Sequence, residues 1–295
     1  MCRLMAISSK GEKDVSRILE TLLTYYGNGN EDGTGFAWLK DGKIKFYKTT
    51  QDALNFFLTH KISIKTNAII GHVRKATSKI CYENTHPFVN ESKDIAFCHN
   101  GIISYYQKVE EELKKKGHKF SGNGVDSEVI LHIFEEKGED FVKYMQNNGI
   151  RGTANCLFLF RNGEIWGYSN GSLYLTKMKG MLVLSSEEIN ENSEEIKTGT
   201  LIKIKDGKVL EKKEIGTINK YSYSYYYNSD SIKTGTSQNA NIRAGEYVYL
   251  CPFCYCETEK HTKKMRYCAF CKKYINKKNC IREIKSRLIP LSYYY

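Results

Sequence analysis

No run of eighteen apolar residues occurs in the 295-residue sequence, which excludes an ordinary membrane-spanning helix. The N-terminus has neither a basic leader nor an apolar stretch long enough for a secretion signal, so a cytoplasmic location is expected. In that compartment the ten cysteines read as reduced thiols, metal ligands or a catalytic group rather than as a disulfide framework. Repeats of solenoid length are absent. Acidic residues are scarce in one region only: residues 217–295 hold 5 against 14 lysines and arginines, whereas residues 1–216 hold 28 against 31. The net charge of +12 therefore belongs mostly to the tail. A near-neutral body with a basic appendage suits nucleic acid, an acidic protein or an anionic substrate as partner.

What is present starts with Met1-Cys2-Arg3-Leu4-Met5-Ala6-Ile7. Removal of the initiator methionine would leave Cys2 first, with a thiol nucleophile and a free α-amine on one residue. That amine has an unperturbed pKa of ~8, close enough to neutrality to accept a proton. Leu4 to Ile7 reads as a short buried strand and Val15 to Tyr26 has helical spacing of apolar residues. Asp41-Gly42 between two apolar runs predicts a hairpin. Two more strands are expected over Asn67 to Val73 and Asp94 to Cys98, each ending in polar residues, which makes His72, Arg74, His99 and Asn100 candidates for a site. Ile102 to Lys116 and Ser127 to Glu136 read as helices, the second with Asp126 as N-cap. From Thr153 to Ile215 strands separated by turns dominate, and strands at both ends with helices between predict packed sheets covered by helices.

Three stretches complete the N-terminal pattern: Gly71-His72-Val73-Arg74-Lys75-Ala76-Thr77, Cys98-His99-Asn100-Gly101-Ile102-Ile103 and Val125-Asp126-Ser127-Glu128. With Cys2, and in that order, they resemble the motifs of class II glutamine amidotransferases, over about the first 215 residues. Asn84-Thr85-His86-Pro87-Phe88 and the Cys-Arg opening are most similar to the small stand-alone members, a subgroup that includes γ-glutamyl amide hydrolases. The resemblance implies an α+β fold, the four-layer αββα sandwich of N-terminal nucleophile (Ntn) hydrolases. It implies Cys2 as nucleophile, with the Asn100 side-chain amide and the Gly101 N–H as oxyanion hole. Arg74 would hold the substrate carboxylate and Asp126 its α-ammonium, with Thr77 and His99 beside them in supporting roles. Two positions depart from the pattern: Ser78 stands where several synthetase-type members have His, and Val125 where Thr is frequent. His86 reads as structural, and Cys81, Cys98 and Cys156 as small buried hydrophobes.

The tail carries a separate signal. Cys251-Pro252-Phe253-Cys254 and Cys268-Ala269-Phe270-Cys271 form two CxxC units, and four thiolates from such turns surround one tetrahedral zinc. A structural zinc on Cys251, Cys254, Cys268 and Cys271 is expected, with Cys256, His261 and Cys280 as possible substitutes. The lysines and arginines around them, interleaved with Tyr255, Phe270 and Tyr274, suit nucleic-acid binding, although lysine-rich tails are equally often only solvated. The expected organisation is an amidotransferase domain over residues 2–216, a Tyr/Ser/Asn-rich linker over 217–245, a small zinc ribbon over 246–282 and a tail over 283–295.

The leading functional expectation is a glutaminase that releases ammonia from glutamine through a γ-glutamyl thioester on Cys2, for an acceptor on a separate protein. The amidase chemistry itself calls for no cofactor. One alternative is hydrolysis of a different γ-glutamyl amide, and another is a catalytically inactive nucleic-acid-binding adaptor.

Overall fold

The computed structural model describes residues 2–27, 29–77, 79–122, 124–178, 180–219, 247–250, 259–260, 262–268, 273–276 and 281–284. The chain divides into two compact units, Met1–Ser224 and Tyr225–Tyr295. In chain order the first begins with β1 (Arg3–Asp14), α1 (Ser16–Gly27), β2 (Thr34–Lys40), β3 (Lys43–Thr49), α2 (Ala53–Thr59), β4 (Lys65–Val73), β5 (Phe88–Val89) and β6 (Ile95–Ser104). It continues with α3 (Gln107–Lys115), α4 (Asp126–Lys137), α5 (Phe141–Asn147), β7 (Arg151–Phe160), β8 (Ile165–Ser169), β9 (Tyr174–Met178) and β10 (Met181–Ser185). Last come β11 (Ser193–Glu195), β12 (Thr200–Lys205) and β13 (Lys208–Glu214).

These strands form two antiparallel sheets, a seven-stranded one ordered β11-β9-β10-β1-β4-β2-β3 and a six-stranded one ordered β13-β12-β8-β7-β6-β5. Successive side chains of a strand point to opposite faces, and in the central strands both faces are covered. Leu4 and Ala6 of β1 pack between the sheets with Ala68 and Ile70 of β4, Ala96 and Cys98 of β6, and Leu157 and Leu159 of β7. Met5 and Ile7 turn the other way, onto Leu19, Leu22 and Leu23 of α1. On the far side, Phe97, Phe158 and Tyr168 pack against Val129, Ile133 and Phe134 of α4 and Phe141 of α5. Three cores between four layers explain why β1 and β4 read as continuous apolar runs rather than alternating ones.

The hairpin forms as expected, with Asp41 and Gly42 both at positive φ, the backbone that a two-residue turn between twisted strands requires. The stretch Ile102 to Lys116 departs from expectation. Residues 102–104 are not helical but extend β6, with Ile102, Ile103 and Ser104 opposite Thr153, Gly152 and Arg151 of β7. Pairing with a long neighbour overrides the helix-compatible spacing, and α3 starts only at Gln107. His99 and Asn100 therefore lie within a long strand rather than at its end. Asp126 is also not the N-cap: α4 starts on it, Val125 precedes the helix without a side-chain cap, and the Asp126 carboxylate instead accepts from the Ile103 N–H at 2.8 Å.

In the second unit, β14 (Tyr247–Leu250) pairs with β18 (Ile281–Ile284), while β15 (Glu259–Lys260), β16 (Met265–Cys268) and β17 (Lys273–Asn276) form a three-stranded sheet. Cys251, Cys254 and Cys271 lie outside the described residues, as do most of the expected linker and Cys256, His261 and Cys280. Cys268 closes β16, and only its backbone is described. Among the described residues, no helix is long and apolar enough to cross a membrane.

Candidate active site

Cys2 precedes β1, and by alternation its side chain belongs to the inter-sheet face that Leu4 and Ala6 line. Its sulfur rests on the backbone of the segment after β4: the Lys75 N–H donates to Sγ at 3.2 Å, and Sγ approaches the Lys75 carbonyl at 3.4 Å. Burial pushes the thiol pKa up, opposed by the Lys75 N–H and the nearby Arg74 guanidinium. Around neutral pH the sulfur therefore keeps its proton, and attack requires a base to take it.

The backbone of residues 74–76 is itself held by the β2 approach. Arg74 N–H donates to the Gly33 carbonyl at 2.8 Å, Asp32 N–H to the Arg74 carbonyl at 3.1 Å, and Ala76 N–H to the Asp32 carboxylate at 2.7 Å. Asp32 is thus a positioning residue that the sequence reading missed, because nothing in Gly29-Asn30-Glu31-Asp32-Gly33 marks more than a turn. The Arg74 side chain is buried, and one of its nitrogens donates to the Lys79 carbonyl at 3.3 Å. Burial lowers its pKa, with Cys2 and Asp32 acting against that, and a guanidinium stays charged in proteins. Thr77 is exposed, and Ser78 lies outside the described residues.

On the other sheet, Asn100 continues the inter-sheet face of Ala96 and Cys98 on β6 and stands opposite Asn155 on β7. Asn155 was also missed. Its side chain donates to the Ser172 carbonyl at 3.1 Å and accepts from the Asn170 N–H at 2.9 Å, fastening the turn after β8 beside Asn100's strand. His99 faces the other way, between Ser127 Oγ of α4 at 2.9 Å and the Thr153 carbonyl at 3.3 Å. It acts as a brace between β6 and α4, the helix whose first residue is Asp126. One Asp126 oxygen already holds the Ile103 N–H, so the carboxylate is fixed to the end of β6. The structure thus brings Cys2 and Arg74 together on one side, and Asn100, Gly101, His99 and Asp126 together on the other.

Three buried histidines lie beneath these residues. The His72 ring contacts the His99 carbonyl at 3.2 Å, and the His72 and His86 rings are 4.2 Å apart. Burial, with the charge of His99 behind it, lowers the His72 pKa to about 3, and burial holds His86 well below its ordinary value. A histidine neutral in the fold but protonated near pH 6.5 when unfolded adds stability that is complete above that pH and is lost as pH falls toward the folded value. Each should cost about 1.4 kcal/mol per pH unit below ~6.5. Urea unfolding at pH 7.5 and pH 5.5 checks this, and equal stability at the two would mean that these rings are not buried neutral.

Comparison with known proteins converges on this architecture. Residues 59–154 match the family model of a glutamine amidotransferase domain. The chain is 27% identical over 257 residues to the glutamine–fructose-6-phosphate aminotransferase (isomerizing) of Helicobacter pylori, covering 84% of this chain and 41% of that protein. It is 29% identical over 234 residues to the amidophosphoribosyltransferase of Methanocaldococcus jannaschii, covering 72% of this chain and 49% of that protein. Among solved structures, the glutamine phosphoribosylpyrophosphate amidotransferase of B. subtilis superposes with a TM-score of 0.60 at 22% identity, covering 74% of this chain and 50% of that one. The chain shares the fold of that structure. The chain is similar in sequence to these two relatives over most of its own length. It spans less than half the length of either relative.

Proposed function

We propose that the protein is a glutaminase that hydrolyses the side-chain amide of glutamine and releases ammonia to an acceptor on another protein. The observation that supports it best is the Cys2 thiol held on the Lys75 backbone beside the buried Arg74, in a fold shared with amidotransferases. In this reading the Cys2 sulfur attacks the amide carbon while its proton passes, through a water, to the α-amine of the processed N-terminus. The oxyanion is met by the Asn100 side-chain amide and the Gly101 N–H. Collapse of the tetrahedral intermediate breaks the carbon–nitrogen bond, the proton leaves with ammonia, and water cleaves the γ-glutamyl thioester to glutamate. Asp126 meets the α-ammonium and Arg74 the α-carboxylate, with Thr77 and His99 in support.

The two relatives pass nitrogen to chemically different acceptors, as their names state, so the acceptor here is left undefined. Turnover of glutamine against a panel of small γ-glutamyl amides tests the substrate, and no turnover of any by correctly processed protein would favour the inactive-adaptor reading. The same assay tests Arg74. Arg74→Lys keeps the charge but loses the planar fork, so KM should rise about 10- to 100-fold, the value of one charge-assisted hydrogen bond, with kcat nearly unchanged. A fall in kcat alone would remove the carboxylate assignment.

For the tail, the reading is a structural zinc on Cys251, Cys254, Cys268 and Cys271, supported by the spacing of the two CxxC units. Its readout is thiolate-to-metal charge transfer when Co²⁺ replaces zinc. The excess of 14 basic over 5 acidic residues after position 216 supports a phosphate-bearing partner for this segment.

A further inference from the structure

Well outside the catalytic residues, four side chains from separate parts of the chain converge. Glu91 lies in the loop between β5 and β6, His118 follows α3, and His132 and Glu135 sit on successive turns of α4. One ligand-capable atom from each lies within 4.8 Å of every other. The two imidazoles meet nitrogen to nitrogen, Nδ1 to Nδ1, at 3.2 Å. The Glu135 Oε2 is 2.7 Å from His132 Nδ1 and 3.5 Å from His118 Nδ1.

We infer that His118, His132, Glu135 and Glu91 form a binding site for a divalent first-row transition metal of the zinc class. Hydrogen bonding alone accounts poorly for the cluster. His118 Nε2 faces the Glu136 carboxylate at 3.4 Å, and in the tautomer with its proton on that outer nitrogen the Nδ1 lone pair points inward. It then confronts a second imidazole nitrogen and two carboxylates, with a single ring proton, on His132 Nδ1, to share among them. Lone pairs converging from independent elements are the arrangement that a cation resolves. Two neutral imidazoles and two carboxylates carry a charge of −2, which a divalent ion neutralises.

The geometry agrees. Zinc–nitrogen bonds of 2.0–2.1 Å at a tetrahedral angle put two ligand nitrogens about 3.4 Å apart, close to the 3.2 Å here. The mixed nitrogen and oxygen donors favour zinc and its neighbours over magnesium or calcium, which take oxygen shells. The outer contacts of His118, Glu135 and Glu91 are those expected around such a centre, whereas the buried His132 Nε2, which takes the ring proton when Nδ1 binds the metal, has no hydrogen-bond partner. Asn90 Nδ2 donates to Glu135 Oε1 at 2.8 Å, occupying the oxygen that points away from the imidazoles. The Lys119 N–H donates to Glu91 Oε1 at 2.6 Å, and Glu136 orients His118. His132 is almost wholly buried, with Phe120 edge-on at 4.5 Å, so water is a poor competitor on that side.

A metal here would pin the loop before β6, the turn after α3 and the body of α4, the helix that begins at Asp126. Its place is structural, two turns along α4 from that residue.

The test uses the full-length protein stripped of metal and titrated with Co²⁺, which distinguishes this centre from the tail cysteines. Nitrogen and oxygen ligands give weak visible ligand-field bands, whereas thiolates add intense near-ultraviolet charge transfer. The expected result is a ligand-field component of one equivalent per chain, displaced by Zn²⁺. It should be lost in His118→Asn and weakened about 10- to 100-fold in affinity in Glu136→Gln, with the thiolate component unchanged in both. Metal-free thermal melts of the variants confirm that they fold, and His118, being partly exposed, tolerates the change best. Absence of a nitrogen/oxygen component in the wild type, or its persistence in His118→Asn, overturns the site.

Discussion

On the proposed function, Cys2→Ala should lower glutamine hydrolysis about 10⁴-fold or more while leaving the thermal melt nearly unchanged, because it would remove the proposed nucleophile from a partly exposed position just before β1. The residue before it matters as much. Burial keeps the Cys2 thiol protonated near neutrality despite the Lys75 N–H and the Arg74 charge, so the reaction depends on a proton acceptor. His72 contacts the His99 carbonyl and His99 lies between Ser127 and Thr153, so both rings are engaged elsewhere. The base in the proposed mechanism is the α-amine of a processed Cys2, with an ordinary pKa near ~8. Protein that retains Met1 has an amide nitrogen there and should lose the ~100- to 10,000-fold that a positioned base supplies. Intact-mass measurement alongside turnover decides it. Equal activity with Met1 attached would refute the base assignment, and residual hydrolysis by Cys2→Ala would refute the nucleophile.

How far these residues could be read from the sequence depended on whether their signal was local. Leu4 to Ile7 and Asn67 to Val73 were legible as strands because both faces of each are buried, which writes an unbroken apolar run into the chain. The hairpin at Asp41-Gly42 was legible from its two turn residues. Ile102 and Ile103 were misread because their apolar spacing fits a helix, and only the partner strand, some fifty residues on, makes them extended. The helix α2 was missed: its Leu54, Phe57 and Leu58 are not buried, so its apolar residues mark no clear face. Within the site, Cys2, Arg74 and Asn100 stand in short motifs, whereas Asp32 and Asn155 act through backbone groups far away in sequence and carry no mark of their own. The same holds for Glu91, His118, His132 and Glu135, which only the packing of α4 against two loops brings together.

The second large effect belongs to β6. Asn100→Ala should lower kcat about 100- to 1,000-fold, with KM and stability little changed, since it would delete one of the two oxyanion donors of the proposed mechanism. Gly101→Ala should behave differently although it adds only a methyl group. Gly101 has φ of +152°, and a Cβ there would overlap the Thr153 carbonyl on β7 and stand 2.8 Å from His99 Nε2. Gly152, at φ of +139°, is its counterpart: a Cβ there would overlap the Ile102 carbonyl of β6. The two strands therefore approach this closely only because both positions lack side chains. Adding the methyl group at 101 must separate β6 from β7 and push His99 off Ser127, which loosens the hold on α4 and Asp126. Gly101→Ala should thus lower thermal stability, raise KM and reduce kcat together, whereas Asn100→Ala changes kcat alone. Steady-state kinetics with thermal melts on both variants separate the two roles. An undiminished kcat in Asn100→Ala would take the side chain out of the oxyanion hole, and a stable Gly101→Ala with normal KM would show that the strand spacing at this point is not what holds α4 and Asp126.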